Sequence, residues 1–176
     1  MPERLPQTDF DRVLRALTSE SVDFILIGGL AAIIHGSART TYDVDVVYAR
    51  APANLARIVK ALAPFQPYLR GVPPGLPFHF DERTLRNGLN FTLLISIGGV
   101  DLLGEVLGGG SYDDLLPFTT QVSGFGTQFL SVNLDKLIEL KRAAGRTRDI
   151  EVVAELEAAR QEAAALTQQK KRPDDR

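Results

Sequence analysis

The sequence contains no cysteine, no tryptophan and only two histidines among its 176 residues. The missing cysteines exclude disulfide bonds, thiolate zinc sites, iron–sulfur clusters and a cysteine nucleophile, and two histidines argue against a multi-histidine metal site. The longest nearly unbroken apolar run, residues 24–34, is too short to cross a bilayer of about 30 Å as a helix. The N-terminal segment MPERLPQTDF has no apolar signal core. These absences predict a soluble protein, most simply a cytoplasmic one without membrane contact.

The sequence also lacks an excess of charge of either sign. Its 20 Lys and Arg nearly balance 22 Asp and Glu, so that the formal net charge is -2, and any contact with nucleic acid must therefore be local. The length and the 44% apolar content suit one domain with one core. We predict a single domain over residues 1–167 and a disordered tail over 168–176, where charge and proline replace apolar residues.

Apolar periodicity and turn residues predict alternating helices and strands. Helices are expected at 9–19, 30–34, 52–63, 134–144 and from 148 onward, and strands at 24–27, 44–48, 89–97, 100–107, 119–123 and 128–132. Gly98 and Gly99 suit the tight turn of a hairpin between two of these strands. Five prolines within residues 64–77 predict an irregular surface segment bordering a cleft.

Asp43 and Asp45 form the most informative pair. Alternation on a strand places both carboxylates on one face, about 7 Å apart along the chain. Like charges this close require a positive partner. Because cysteine is absent and histidine scarce, magnesium or manganese fits better than zinc. Alternatively, Asp43 belongs to a turn and Asp45 to an exposed strand face.

Asp101 adds a third carboxylate on a second apolar strand, where a lone acid again needs a partner. Glu105 shares its face by the same alternation. Three strand-borne acids are typical of a metal site. Asp101 could instead face water on an edge strand, and for Glu105, near the glycine-rich end of its strand, that interpretation is the better one.

Further residues could contact phosphate. Gly28 and Gly29 lie between a buried strand and a helix, where glycine lets backbone amides approach an anion, although a simple packing turn needs the same residues. Lys141 falls on the apolar face of its helix, so its ammonium either snorkels or meets anions. Arg39 and Arg148 could reach phosphate or solvent.

The segment IGGLAAIIHGSARTTYDVDV, residues 27–46, resembles the DNA polymerase β-like nucleotidyltransferase superfamily. Its small bacterial members carry a glycine-rich turn, a helix and an acid–apolar–acid–apolar strand. Residues 134–149 look like the C-terminal element of the abortive-infection, type IV toxin nucleotidyltransferases, in which a lysine precedes an arginine and an Arg/Lys–Asp pair. Many superfamily members have Gly-Ser at the turn, where this chain has Gly28 and Gly29 and thus lacks the hydroxyl.

This resemblance implies an α/β fold, with a mixed, twisted sheet, helices mainly on one face and further C-terminal helices. It implies transfer of a nucleoside monophosphate from a nucleoside triphosphate to an RNA end such as tRNA, a protein or a small molecule, with Mg²⁺ or Mn²⁺ as cofactor. Asp43, Asp45 and Asp101 would be catalytic and would bind the metal. The implied nucleotide-binding residues are Gly28, Gly29, Arg39, Lys141 and Arg148.

The resemblance to toxin-type enzymes further suggests a toxin–antitoxin component with an antitoxin-like protein partner. Two other interpretations stay open. The chain could be a catalytically degenerate nucleotidyltransferase-like binding or regulatory protein, which the missing serine favours. It could also be a structural α/β domain whose acids lie together by chance.

Overall fold

The computed structural model describes residues 7–170, which form a seven-stranded sheet, a two-stranded ribbon and seven α-helices. The helices are α1 (Phe10–Ser19), α2 (Gly28–Ile34), α3 (Pro52–Leu62), α4 (Glu82–Asn87), α5 (Tyr112–Leu115), α6 (Leu134–Ala144) and α7 (Thr147–Lys170). The strands are β1 (Phe24–Ile27), β2 (Asp43–Tyr48), β3 (Tyr68–Leu69), β4 (Asn90–Ile95), β5 (Gly98–Leu103), β6 (Glu105–Val106), β7 (Gly110–Ser111), β8 (Thr119–Gly124) and β9 (Thr127–Val132). Among these residues, no helix is both long and apolar enough to span a membrane.

The large sheet is mixed and has the strand order β3-β4-β5-β2-β1-β9-β8. Strand β2 runs parallel to β5 and antiparallel to β1, while β1 runs parallel to β9. The two outer hairpins, β4–β5 and β8–β9, are antiparallel. The α/β fold with a mixed sheet that the sequence predicts is confirmed.

The core lies against the central strands of this sheet. All four residues of β1 are buried. In β2, Val44 and Val46 are buried whereas Asp43 and Asp45 are only partly buried, as expected for a strand with one apolar and one polar face. Helix α3 contacts both α1 and α4, and helix α6 contacts both α2 and α7. The second group of helices borders the polar face of β2.

Helix α6 has the ends that the sequence predicts. The side chain of Asn133 accepts a hydrogen bond from the backbone N–H of Lys136 and caps the first turn. Gly145 ends the helix in the left-handed conformation, with φ +66°. Because α7 begins only two residues later, the two helices fold back against each other. This turn brings the end of α6 next to the start of α7.

The predicted hairpin turn at Gly98 and Gly99 is wrong. The turn is formed by Ser96 and Ile97, and Gly98 already pairs with Ile95 as the first residue of β5. Both glycines serve close packing instead. A Cβ at Gly98 would lie 2.5 Å from Thr8 Cα, and one at Gly99 would lie 3.2 Å from Asp43 Cγ. Glycine is therefore needed here to let the acid-bearing strand approach.

Other segments also differ from their prediction. Residues 64–77 are not wholly irregular, since they contain part of the 3₁₀ turn Ala63–Phe65 and the edge strand β3. The second strand of the hairpin stops at Leu103, and β6 pairs separately with β7. The tail predicted at 168–176 is helical as far as Lys170, and its remaining residues, 171–176, lie outside the described residues.

Candidate active site

Three aspartates meet on one face of the sheet. Strand register places Asp45 directly beside Asp101, and Asp43 lies two residues earlier on β2. Neighbouring strands are about 4.8 Å apart, so the two carboxylates at this register are close neighbours. All three side chains line one cleft. The structure thus brings together the acids that the sequence predicts as catalytic, whereas Glu105 is exposed on the separate ribbon.

The carboxylates repel one another. Burial, followed by the charges of Asp101 and Asp43, raises the pKa of Asp45 to about 7, and burial also raises the pKa of Asp101. Burial disfavours the charged form of a carboxyl group, and nearby like charges add to that effect. Near neutral pH, a substantial fraction of Asp45 therefore carries a proton. A cation placed among these groups would lower the pKa values of Asp45 and Asp101 and relieve the repulsion.

Arg70 already supplies positive charge to this cluster. Its Nη2 donates to Asp101 Oδ1, and its Nη1 lies 2.8 Å from Asp43 Oδ1 in an ion pair without hydrogen-bond geometry. The Arg70 side chain is only 18% exposed. Sequence analysis missed this residue because it follows a two-residue strand in a proline-rich segment, where periodicity carries no signal.

The glycine pair packs directly on the acidic strand. Gly28 has φ +72°, and a Cβ there would come within 2.7 Å of Asp45 Cγ. At Gly29, a Cβ would come within 2.8 Å of Thr41 Cβ. A serine side chain at position 29 has no space while Thr41 is present. The hydroxyl of Thr41 occupies the space into which a serine side chain at position 29 would extend. The sequence alone does not reveal that these two residues are neighbours.

Lys141 and Arg146, called the basic wall below, also line the cleft. Lys141 Nζ lies 3.0 Å from Asp149 Oδ1, and Arg146 Nε lies 3.0 Å from Asp149 Oδ2. Burial tends to raise the pKa of Asp149, but its hydrogen bond with Lys141 and the charges of both bases outweigh burial and lower it. Lys141 also acts electrostatically on Asp45. It therefore lies within reach of both the acidic cluster and Asp149.

The two predicted arginines hold the loop before β2 against α7. Arg39 forms ion pairs of 2.8 Å with Glu151 and 2.9 Å with Glu155. Arg148 Nη2 donates to the Thr40 carbonyl oxygen at 2.7 Å. Both residues line the cleft, but both guanidinium groups already have partners within the protein.

The cleft has a volume of about 280 Å³, close to the lower end of the usual range for small-molecule sites. Tyr42, which is 60% exposed, also lines the cleft. The apolar part of the lining includes Leu103, Val106, Leu137 and Leu140. Every site residue predicted from the sequence lines this cleft: Gly28, Gly29, Arg39, Asp43, Asp45, Asp101, Lys141 and Arg148.

The donor set suits a hard divalent cation, because three carboxylates on neighbouring strands offer oxygen ligands in one cleft. Within residues 7–170, however, no group of three acidic, His or Cys side chains is arranged to hold one ion. Two of the three aspartates are paired with Arg70 instead. The residue types at the site therefore fit a metal ion, but in this structure the Arg70 guanidinium pairs with two of the carboxylates.

Residues 8–95 match the family described as nucleotidyltransferase of unknown function (DUF6036). The chain belongs to this family. A candidate nucleotidyltransferase from Thermotoga maritima, known from a crystal structure, shares the fold with a TM-score of 0.53. The two chains are 15% identical, and the similarity covers 87% of this chain and 95% of the other. None of the curated proteins compared with this chain matches it in sequence.

The family confirms the nucleotidyltransferase resemblance at the general level only. Its match contains the glycine pair, Arg39, Asp43 and Asp45, but ends before Asp101 and before the element at 134–149. The family match therefore does not test the resemblance of residues 134–149 to toxin-type enzymes. What the family match adds is a nucleotidyltransferase assignment for the half of the chain that carries the acid pair.

Proposed function

We propose that this nucleotidyltransferase moves a nucleoside monophosphate from a nucleoside triphosphate to an acceptor hydroxyl, with Mg²⁺ or Mn²⁺. The observation that carries the proposal is the convergence of Asp43, Asp45 and Asp101 on one face of two adjacent parallel strands, in a cleft that the basic wall also lines. A triphosphate with its counter-ion needs this combination of negative and positive groups.

Asp43, Asp45 and Asp101 would hold the divalent cation. When bound, it would neutralise triphosphate charge and lower the pKa of the acceptor hydroxyl. The acceptor oxygen forms a bond to the α-phosphorus, and the bond from that phosphorus to the bridging oxygen breaks, so that pyrophosphate leaves. The carboxylate of Asp101 would take the proton of the attacking hydroxyl. In-line transfer depends mainly on positioning and charge neutralisation.

The basic wall would bind the phosphates. Lys141 is well placed for this role, because it lines the same cleft as the acids and acts electrostatically on Asp45. Arg146 is 80% exposed at the start of α7 and can turn toward a ligand at little cost. Arg39 and Arg148 would support the triphosphate by fixing the loop that leads into β2, and Gly28 and Gly29 would let the backbone approach it.

An RNA end such as tRNA, a protein hydroxyl and a small molecule all carry the hydroxyl group that this transfer requires of its acceptor. A toxin–antitoxin role with a protein partner is a further proposal, supported by the likeness of residues 134–149 to toxin-type enzymes.

Label transfer from α-labelled nucleoside triphosphates tests the proposal. Wild type is incubated with Mg²⁺ or Mn²⁺ and with pooled tRNA, the protein itself or small hydroxyl compounds. We expect label on one acceptor, and a loss of at least 100-fold in Asp45→Asn. Glu105→Gln is the matched control, because this strand-borne acid lies outside the cleft and its loss should change transfer less than twofold.

A second candidate function is nucleotide binding without turnover. It is favoured by Arg70, which pairs with two of the three acids, and by the glycine at position 29. Metal-dependent nucleotide binding with no label on any acceptor would support this candidate. Absence of both binding and transfer would contradict both functions.

A further inference from the structure

Arg70 lies in line with the acids across the sheet. Its backbone N–H donates to the Thr92 carbonyl oxygen at 3.0 Å, which continues the β3–β4 pairing by one residue. Thr92 pairs with Asp101, and Asp101 pairs with Asp45. The row across four adjacent strands is therefore Arg70, Thr92, Asp101 and Asp45, and residues in one such row share a face of the sheet.

The register explains how the guanidinium reaches the acids. Arg70 and Asp101 lie two strands apart, about 9.6 Å between backbones, and the exposed residue between them is a short threonine. A fully extended arginine can pass over Thr92 and reach Asp101. The guanidinium then meets Asp43 as well. Both contacts use Oδ1, the same kind of carboxylate oxygen that a divalent cation would take.

We propose that Arg70 is the resident counter-ion of this acidic cluster and competes with the divalent cation for Asp43 and Asp101. The inference rests on the proposed function, because it assumes that the acids take a metal. A cation bound to those two carboxylates would lie beside the guanidinium, and like charges at that distance repel strongly in a partly buried site. The cation therefore binds tightly only when the Arg70 side chain moves away, and it binds more weakly while Arg70 stays in place.

The competition gives the acids two states. With Arg70 in place, two of the three carboxylates are paired and the folded protein tolerates their proximity. With the divalent cation in place, the guanidinium is free to turn away over the exposed face of Thr92. Because the backbone of Arg70 is held by Thr92, this exchange needs movement of one side chain and no rearrangement of the sheet.

Direct measurement of Mn²⁺ affinity by electron paramagnetic resonance tests this competition without any assay of activity. The variants are Arg70→Gln, which removes the charge, and Arg70→Lys, which keeps a charge but cannot make the two-pronged contact. Arg83→Gln is the control, because it removes the same charge from α4 without an ion pair to the cluster. Circular dichroism and thermal melting confirm that each variant is folded.

We expect Arg70→Gln to bind Mn²⁺ at least tenfold more tightly than wild type, Arg70→Lys to be intermediate and Arg83→Gln to be unchanged within twofold. Mn²⁺ should also raise the melting temperature of Arg70→Gln more than that of wild type. Tight binding by Arg70→Gln with none by wild type would equally support the competition.

Equal or weaker binding by Arg70→Gln, alongside measurable binding by wild type, would overturn the competition but leave the proposed metal-dependent function standing. Absence of Mn²⁺ binding by wild type and by both Arg70 variants would overturn the competition and the metal dependence together. The failure of one proposal can thus be told from the failure of the other.

Discussion

Lys141 and Asp149 form an ion pair across the turn between α6 and α7, with 3.0 Å between Nζ and Oδ1. The Asp149 side chain is only 5% exposed and the Lys141 side chain 15%. A charge pair buried this deeply is costly to break, because removing one partner leaves the other charge without compensation. The pair therefore holds together the part of the basic wall that faces the acids.

We expect Asp149→Asn to lower the free energy of unfolding by about 3 kcal/mol at pH 7. Arg146→Gln is its control, since this partner of Asp149 is 80% exposed, and its loss should cost about 0.5 kcal/mol. Urea unfolding followed by circular dichroism measures both values. Similar losses in the two variants would contradict the importance of the buried pair.

Asp149 also predicts an acid-dependent loss of stability. Its pKa is lowered in the folded protein, so the folded state binds fewer protons than the unfolded state over the range between the two pKa values. Its contribution to stability is therefore present above the ordinary pKa of an aspartate, about 4, and is lost as the pH falls through the folded value. Asp149→Asn should lack this part of the acid transition in unfolding experiments from pH 6 to pH 2.

Asp45 has the opposite effect. Its pKa is about 7 in the folded protein against 3.8 for a free aspartate, so the folded state binds more protons between these values. The free energy of unfolding must then fall as the pH rises from about 4 to about 7. At pH 8 in EDTA, Asp45→Asn should be more stable than wild type, and at pH 4 this difference should largely disappear.

Urea unfolding at the two pH values measures this difference. Asp135→Asn is the control, because that carboxylate is 73% exposed outside the cleft, and its removal leaves the acidic cluster intact. If Asp45→Asn and wild type lost stability equally between pH 4 and pH 8, the buried acid would not be the source of the effect.

Gly28 and Gly36 both have positive φ, 72° and 102°, but only Gly28 lies against another group. We expect Gly36→Ala to cost about 1 kcal/mol, the usual penalty of a left-handed alanine. Gly28→Ala should cost about 2 kcal/mol more, because its Cβ collides with Asp45. Comparison of the two unfolding free energies separates backbone strain from the steric clash. Equal losses would show that the Asp45 side chain moves aside without cost.

Gly29 and Thr41 should be coupled. The single variant Gly29→Ser places a side chain where Thr41 lies, so it should be destabilised by about 2 kcal/mol. Adding Thr41→Ala should restore about 1 kcal/mol or more of that loss. A double-mutant cycle on unfolding free energies gives the coupling. Strictly additive effects would mean that Thr41 does not fill the space of the missing side chain.

Much of the fold follows from local signals. The alternation of valine and aspartate predicts β2 and the face that its acids share, and Asn133 and Gly145 predict both ends of α6. These features depend on a few neighbouring residues, which is why a single sequence carries them.

Features that depend on tertiary contacts escaped prediction. Gly98 and Gly99 have the composition of a turn, yet they are required by the approach of Thr8 and Asp43, which are distant in sequence. Arg70 reaches the cluster only because three strands bring it into the row of Asp101 and Asp45. No local pattern encodes a register that is set by the pairing of other strands.

The loop before β2 is attached to α7 by contacts between residues that are far apart in the sequence. The Arg39–Glu155 contact joins residues 116 positions apart, and the Arg148–Thr40 contact joins residues 108 apart. Contacts of such long range require the closure of a large loop, which costs conformational entropy. On a chain growing from the ribosome, the strand with Asp43 and Asp45 is synthesised well before its basic wall. The nascent protein thus carries the acids of the candidate site before the residues of the basic wall have been made.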